Sequence, residues 1–138
     1  MKNTPIFFAA ALLMASMLVS CNMKPSMDYV RLCNNPDYDI TCPEDQKSFN
    51  SFETKTIYLT AVFNHIKEGS KLSVSWYYQD ETNPIRNMDI VIDESLVDEP
   101  VNIRMDKPAA GWQTGEYKVI LALDDEDFEP VEKTFTIE

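Results

Sequence analysis

The chain has 138 residues and a formal charge of −11, with 12 Lys and Arg set against 23 Asp and Glu. That balance excludes a nucleic-acid binder, which must neutralise phosphates with basic side chains. It also argues against adsorption to anionic head groups. A single histidine, His65, rules out a His-rich metal cluster, and three glycines cannot build a Gly-rich phosphate cradle or a G-x-S-x-G elbow.

Residues 1–20 read as a secretory leader: Lys2 supplies a short positive start, and Ile6 to Val19 an apolar stretch. Spanning a bilayer takes about 20 consecutive apolar residues. This run is shorter and is interrupted by Ser16 and Ser20, so an uncleaved membrane helix is disfavoured. Leu18-Val19-Ser20-Cys21 resembles a bacterial lipobox. The resemblance implies cleavage before Cys21, which becomes the diacylglyceryl-modified, N-acylated first residue of a lipoprotein. Two or more acyl chains make a stable anchor, at about 0.8 kcal/mol per buried methylene. Asn22, rather than Asp, follows the cysteine, which points to the outer membrane and, by default, its periplasmic side. Lys2 departs with the leader, taking the formal charge from −11 to −12. What remains is one domain by length.

Residues 21–28 form a short lipidated tether, and the domain follows over 29–138. A first short strand is expected over Tyr29 to Cys33, then a turn-rich lead-in from Asn34 to Asn50. With Cys21 consumed by lipid, Cys33 and Cys42 are an even pair in an oxidising compartment and are expected to form a disulfide. Its small loop contributes about 2.5–3 kcal/mol in the chain-entropy model. Two thiols and one distant histidine do not complete a tetrahedral metal shell. The spacing is not that of a C-x-x-C redox motif.

From Thr54 onward the hydrophobic period is two. Ile57, Leu59, Ala61 and Phe63 alternate with Thr56, Tyr58, Thr60 and Val62; Leu72, Val74, Trp76 and Tyr78 alternate with Ser73, Ser75 and Tyr77 after a turn at Lys67-Glu68-Gly69-Ser70. Met88, Ile90 and Ile92 follow the loop Asp80 to Pro84. Next come Val101, Ile103 and Met105, then Tyr117, Val119, Leu121 and Leu123, and finally Phe135 and Ile137. About seven strands and no helix beyond the leader predict an all-β antiparallel sandwich. Trp76 on the third strand and the stretch Gly111 to Val119 entering the sixth resemble immunoglobulin- or fibronectin-III-like modules. That resemblance implies a core Trp76, a Tyr117 hydroxyl bonded back to the corner before it, and strands three, four, six and seven in one sheet. The chain departs from antibody domains in having both cysteines ahead of the core strands.

No catalytic constellation and no cofactor site emerge. His65 reads as a solvated loop residue, and Asp124-Asp125-Glu126-Asp127 as an acidic hairpin tip, since it lacks the spacing and turn glycine of an EF-hand loop. Asp37-Tyr38-Asp39 reads the same way. A serine–lysine or paired-carboxylate arrangement stays open at this stage, because the fold decides which residues meet. Parity places Ser75, Tyr77, Val91, Lys118, Ile120, Thr134 and Thr136 on the solvent side of the four-strand sheet. Tyr77, Val91 and Ile120 are therefore the candidate partner face, with the disulfide-bonded segment as its possible cover. The expected function is a non-enzymatic, lipid-anchored binding or accessory module for another envelope protein. An acidic inhibitor of a basic hydrolase such as lysozyme is one alternative. A glycan-binding surface domain using Tyr77, Tyr78 or Trp112 is the other.

Overall fold

A computed structural model describes residues 23–38 and 40–138. The leader, Cys21 and Asp39 lie outside the described residues. Eight strands follow in order: β1 (Ser26–Cys33), β2 (Ser48–Phe49), β3 (Thr56–Asn64), β4 (Lys71–Tyr78), β5 (Arg86–Val91), β6 (Glu99–Asp106), β7 (Gly115–Leu123) and β8 (Val131–Ile137). They form two sheets, ordered β1-β3-β6 and β2-β8-β7-β4-β5. Every pairing is antiparallel except β2 on β8. The fold is an all-β sandwich, and the expected third, fourth, sixth and seventh strands share one sheet as β4, β5, β7 and β8.

The alternation accounts for the core. Ile57, Leu59, Ala61 and Phe63 of β3 face Leu72, Val74 and Trp76 of β4 and Val119 and Leu121 of β7, all buried. Trp76 is fully enclosed, meeting Phe135 edge-on at 6.1 Å, and Phe135 meets Phe49 edge-on at 5.6 Å. Such edge contacts contribute about 0.5–1.5 kcal/mol beyond area burial. The Trp76 indole N–H is buried without a partner.

The corner before β7 forms as the resemblance implied. Tyr117 is buried, its hydroxyl donates to the Gln113 carbonyl at 2.6 Å, and its ring stacks on Phe135 at 5.3 Å. Burial, with the Tyr78 phenol beside it, pushes the Tyr117 hydroxyl above its ordinary pKa. Trp112 packs the same corner and donates its indole N–H to the Thr54 carbonyl at 2.7 Å.

Two features depart from the alternation pattern. The strand additional to the seven expected, β2, has only two residues, too short to show a period. It is held to β8 by Thr136 N–H to Lys47 O and Glu138 N–H to Phe49 O. Cys33 and Cys42 are joined, with Cα atoms 5.7 Å apart, but the segment they staple covers the other sheet. Cys42 N–H donates to Thr60 Oγ1 at 2.9 Å, and Asn102 Nδ2 donates to the Ile40 carbonyl at 2.8 Å. Arg31 also reaches the carbonyls of Cys42 and Pro43. These partners lie on the outer face of the three-stranded sheet, so Thr60, which points outward by parity, is buried. Downstream, Asp45 pairs with Lys133 of β8 at 2.6 Å and accepts the Leu32 N–H at 3.0 Å. Residues 43–49 thus lace one side of the sandwich, from β1 across to β8.

Candidate functional site

The outer face of the five-stranded sheet is the surface that sequence parity singled out, and the disulfide segment leaves it uncovered. Lys118 sets its ammonium 5.2 Å from the centre of the Tyr77 ring, a cation–π contact worth about 0.5–1 kcal/mol at an exposed site. Ile120 lies two residues along β7, opposite Ser75, and is half-buried. Tyr77, Lys118 and Ile120 therefore form one patch over β4 and β7.

Val91 does not join that patch. It pairs with Lys71 at the far end of β4, six residues from Tyr77, which is about 20 Å at the rise of a strand. Between them runs a polar ladder. Ser73 Oγ donates to Asp89 Oδ1 and Ser75 Oγ to Asn87 Oδ1, both at 2.8 Å, and Lys71 sits 3.5 Å from Asp89. The three-residue face expected from parity divides into a Tyr77–Lys118–Ile120 patch and an isolated Val91, because parity fixes the face and only register fixes the position along it.

Beside the patch, toward β8, opens a cleft of about 410 Å³ lined by Lys47, Gln79, Glu116, Lys118, Glu132 and Thr134 among others. Lys47 enters it from the segment before β2, which sequence periodicity did not reveal. Gln79 enters from a left-handed turn at φ 57° and is fixed by its N–H to the Glu116 carbonyl. Gly115 permits this approach: a Cβ there would meet Gln79 Nε2 at 2.8 Å, and its φ of 139° disfavours any side chain.

A second cavity, of about 470 Å³, lies where the chain enters β1, lined by Met23, Pro25, His65, Lys67, Asp125 and Asp127 among others. It brings His65 to the acidic hairpin tip, two features the sequence treats separately. His65 is half-buried rather than fully solvated and takes φ 54°. The acidic turn ties down its own groups: Lys71 N–H donates to Asp124 Oδ1 at 2.7 Å, and Asp127 N–H to Asp125 Oδ1 at 2.9 Å. Among the described residues no group of three or more His, Cys, Asp or Glu side chains is placed to hold a metal ion.

Of the aromatic residues offered for glycan stacking, Trp112 is buried and bonded to Thr54. Tyr78 is half-buried, with its hydroxyl on the Thr114 carbonyl at 2.7 Å and its ring 5.0 Å from Tyr117. Tyr77 alone keeps a face on the open sheet. Tyr38 is fully exposed in the disulfide loop, beside Asp37, whose N–H bonds to the Thr41 carbonyl.

No family model matches the chain, and no curated protein sequence matches it. Among solved structures it is similar to the β-glucuronidase of Parabacteroides merdae, at 15% identity and a TM-score of 0.47, over 83% of this chain and 13% of that one. The chain thus spans about an eighth of that enzyme's length.

Proposed function

We propose that this chain is a non-enzymatic binding module of the bacterial cell envelope, held to the outer membrane by lipid on Cys21. It engages another envelope protein through the Tyr77–Lys118–Ile120 patch. The observation that supports this reading is the asymmetry of cover. The disulfide-bonded segment folds over the three-stranded sheet and leaves an aromatic, an aliphatic and a cationic stem together on the other. Tyrosine is among the residue types enriched where binding energy concentrates at protein interfaces.

The inhibitor reading draws support from a different feature. The loops carrying Asp93, Glu94, Asp98 and Asp124 to Asp127 meet at one end of the sandwich, as the strand order requires. That end would suit a basic protein. It is also the end at which Met23 to Pro25 enter the domain, so lipid on Cys21 would turn it toward the bilayer and restrict access. The patch reading is therefore preferred.

A photo-crosslinker at position 77 of the full-length protein in its native envelope tests the proposal. One recurrent protein adduct, lost in Ile120→Glu, supports it. Labelling that is diffuse, or unchanged by Ile120→Glu, overturns it.

A further inference from the structure

Lipid on Cys21 would set the distance between domain and bilayer as well as the compartment. A tether over residues 21–28 reaches about 20–30 Å when extended. The structure shortens it. Met23 and Pro25 already line a cavity of the domain, and β1 begins at Ser26. Only Asn22 separates Cys21 from Met23, a chain length of about 7 Å. The headgroup layer adds about 5–8 Å on each side of the hydrocarbon core. A domain tied this closely would hold its Met23 end among the headgroups.

What that end presents is the cavity of about 470 Å³. Its Ile66–Leu96 wall is firm: Ile66 is buried, and the two residues exchange both backbone hydrogen bonds, at 3.2 and 2.8 Å. Met23 and Val97 also line it, each 60% exposed. Three chemistries share the lining: apolar Met23, Leu96 and Val97, cationic Lys67 with the His65 ring, and anionic Asp125 and Asp127. The ion pairs among the described residues are Lys71 with Asp89 and Lys133 with Asp45. Lys67, Asp125 and Asp127 therefore keep their charges available to a ligand.

We infer that this cavity seats the headgroup of a zwitterionic phospholipid, an ammonium joined to a phosphodiester, from the membrane that carries the protein. The inference rests on the lipid anchor of the proposed function. Asp125 and Asp127 take the ammonium. Lys67 supplies positive charge to the phosphodiester and the His65 ring an N–H donor. Met23, Leu96 and Val97 meet the glycerol and the first methylenes. The volume falls within the range of about 300–1,000 Å³ usual for small-ligand sites. Charge selects the headgroup. An anionic one gives Lys67 a partner but leaves two carboxylates against a negative surface with no counter-charge. A zwitterion pairs both signs. Seating it also sets the domain upright: Lys71, whose N–H bonds to Asp124, begins β4 at the cavity end, and Tyr77 lies six residues, about 20 Å, farther out.

The test places the protein, purified from its own membranes, in vesicles of phosphatidylethanolamine with phosphatidylcholine, or of phosphatidylglycerol. Hydrogen exchange is read at the Ile66 and Leu96 amides, whose mutual bonds close one wall of the cavity. Exchange is expected to be at least about three-fold slower in the zwitterionic vesicles, as ligand binding suppresses local opening. This comparison needs no variant. Asp125→Asn with Asp127→Asn should abolish the difference, and asparagine at 125 keeps an acceptor for the Asp127 N–H. Asp93→Asn with Glu94→Gln removes the same charge outside the cavity lining and should preserve it. Equal exchange in the two lipids, or a difference abolished alike by both pairs, overturns the inference. Dissolved glycerophosphoethanolamine at about 1 mM, added to the protein in detergent, is expected to give no protection, because a bilayer presents the headgroup at far higher effective concentration. Protection equal to that in vesicles would assign the cavity to a soluble ligand and overturn membrane docking. Flotation reads the anchor separately. Protein that leaves both kinds of vesicle refutes lipid on Cys21 and the inference with it, whereas protein that stays with both and exchanges alike refutes the inference alone.

Discussion

Tyr117→Phe isolates one interaction at the corner that positions β7. The substitution keeps the ring of a residue 4% exposed, stacked on Phe135 and tilted against Tyr78, and removes only the hydroxyl that donates to the Gln113 carbonyl at 2.6 Å. A net hydrogen bond contributes about 0.5–1.5 kcal/mol, and leaving the carbonyl partly buried without its donor raises the cost toward about 2 kcal/mol. No cavity term accompanies it, because a single oxygen is lost from a packed ring. We therefore expect a loss of about 1–2 kcal/mol, a fall in Tm of roughly 3–6 °C for a domain of this size. Urea unfolding followed by the fluorescence of Trp76 and Trp112 measures it, with an unchanged m-value as the sign that only the native state was affected. The same residue makes a second prediction. Its folded-state pKa lies above the ordinary tyrosine value near 10, so its contribution is complete below that value. It is lost as pH rises through the higher folded-state pKa, because the unfolded chain ionises first. The alkaline decline in stability should thus be shallower in Tyr117→Phe. A loss under about 0.3 kcal/mol with an unaltered alkaline limb would refute the corner as a stabilising device.

The two tryptophans should respond in the reverse order of their depth. Trp76→Phe leaves a small cavity but also removes a buried N–H that has no partner, whereas Trp112→Phe orphans the Thr54 carbonyl. Urea midpoints should show Trp112→Phe costing about 1 kcal/mol more, and the opposite order would contradict the hydrogen-bond assignments. Replacing Cys33 and Cys42 by serine should cost about 2.5–3 kcal/mol and speed hydrogen exchange at the Cys42 amide, now bonded to Thr60 Oγ1; an unchanged midpoint would show that the staple does not stabilise the fold. Gly115→Ala should lower stability by at least about 1 kcal/mol and shift the fluorescence of Tyr78, since its Cβ would press on Gln79 and Tyr78 from a left-handed backbone; wild-type behaviour would mean the turn relaxes freely. Cys21→Ala should move the protein from the membrane fraction to the soluble one, and persistence in the membrane would remove the lipid anchor.

Side-chain parity made most of the sandwich legible in advance. It identified the inward rows of β3, β4 and β7, the enclosed Trp76 and the outward Tyr77, because a strand with one buried face must alternate. Tyr117 was legible for a different reason: the stretch Gly111 to Val119 resembles the corner of immunoglobulin-like modules, and that resemblance implied the hydroxyl's bond back to the corner. Parity carries no information on register, and so Val91 read as a neighbour of Tyr77 when Lys71 holds it at the opposite end of the sheet. Nor does it say which sheet a covalently closed loop will lie upon. That choice rests on Thr60 and Asn102, two outward polar residues on β3 and β6 that supply partners for the loop's backbone. Two-residue β2 had no period to detect. Its place follows from the carbonyls of Lys47 and Phe49, which accept the last amides of β8.

The placement of that N-terminal segment explains why the remaining surface has the character it does. Backbone groups at a sheet's margin must find partners somewhere, and residues 34–49 supply them along one side only. The disulfide loop covers the three-stranded sheet, Asp45 bridges to Lys133, and β2 completes the edge beside β8. A second segment of comparable length would be needed to do the same beside β5, and the connection from Ile92 to Asp98 is too short. It spends its reach on one bridge, Ile66 to Leu96, between the two sheets. The five-stranded sheet therefore overhangs the three-stranded one at β5, where Met88 and Ile90 stay half-exposed for want of a facing strand. The open outer face and the β5 edge, beside which no described strand lies, belong to the same sheet.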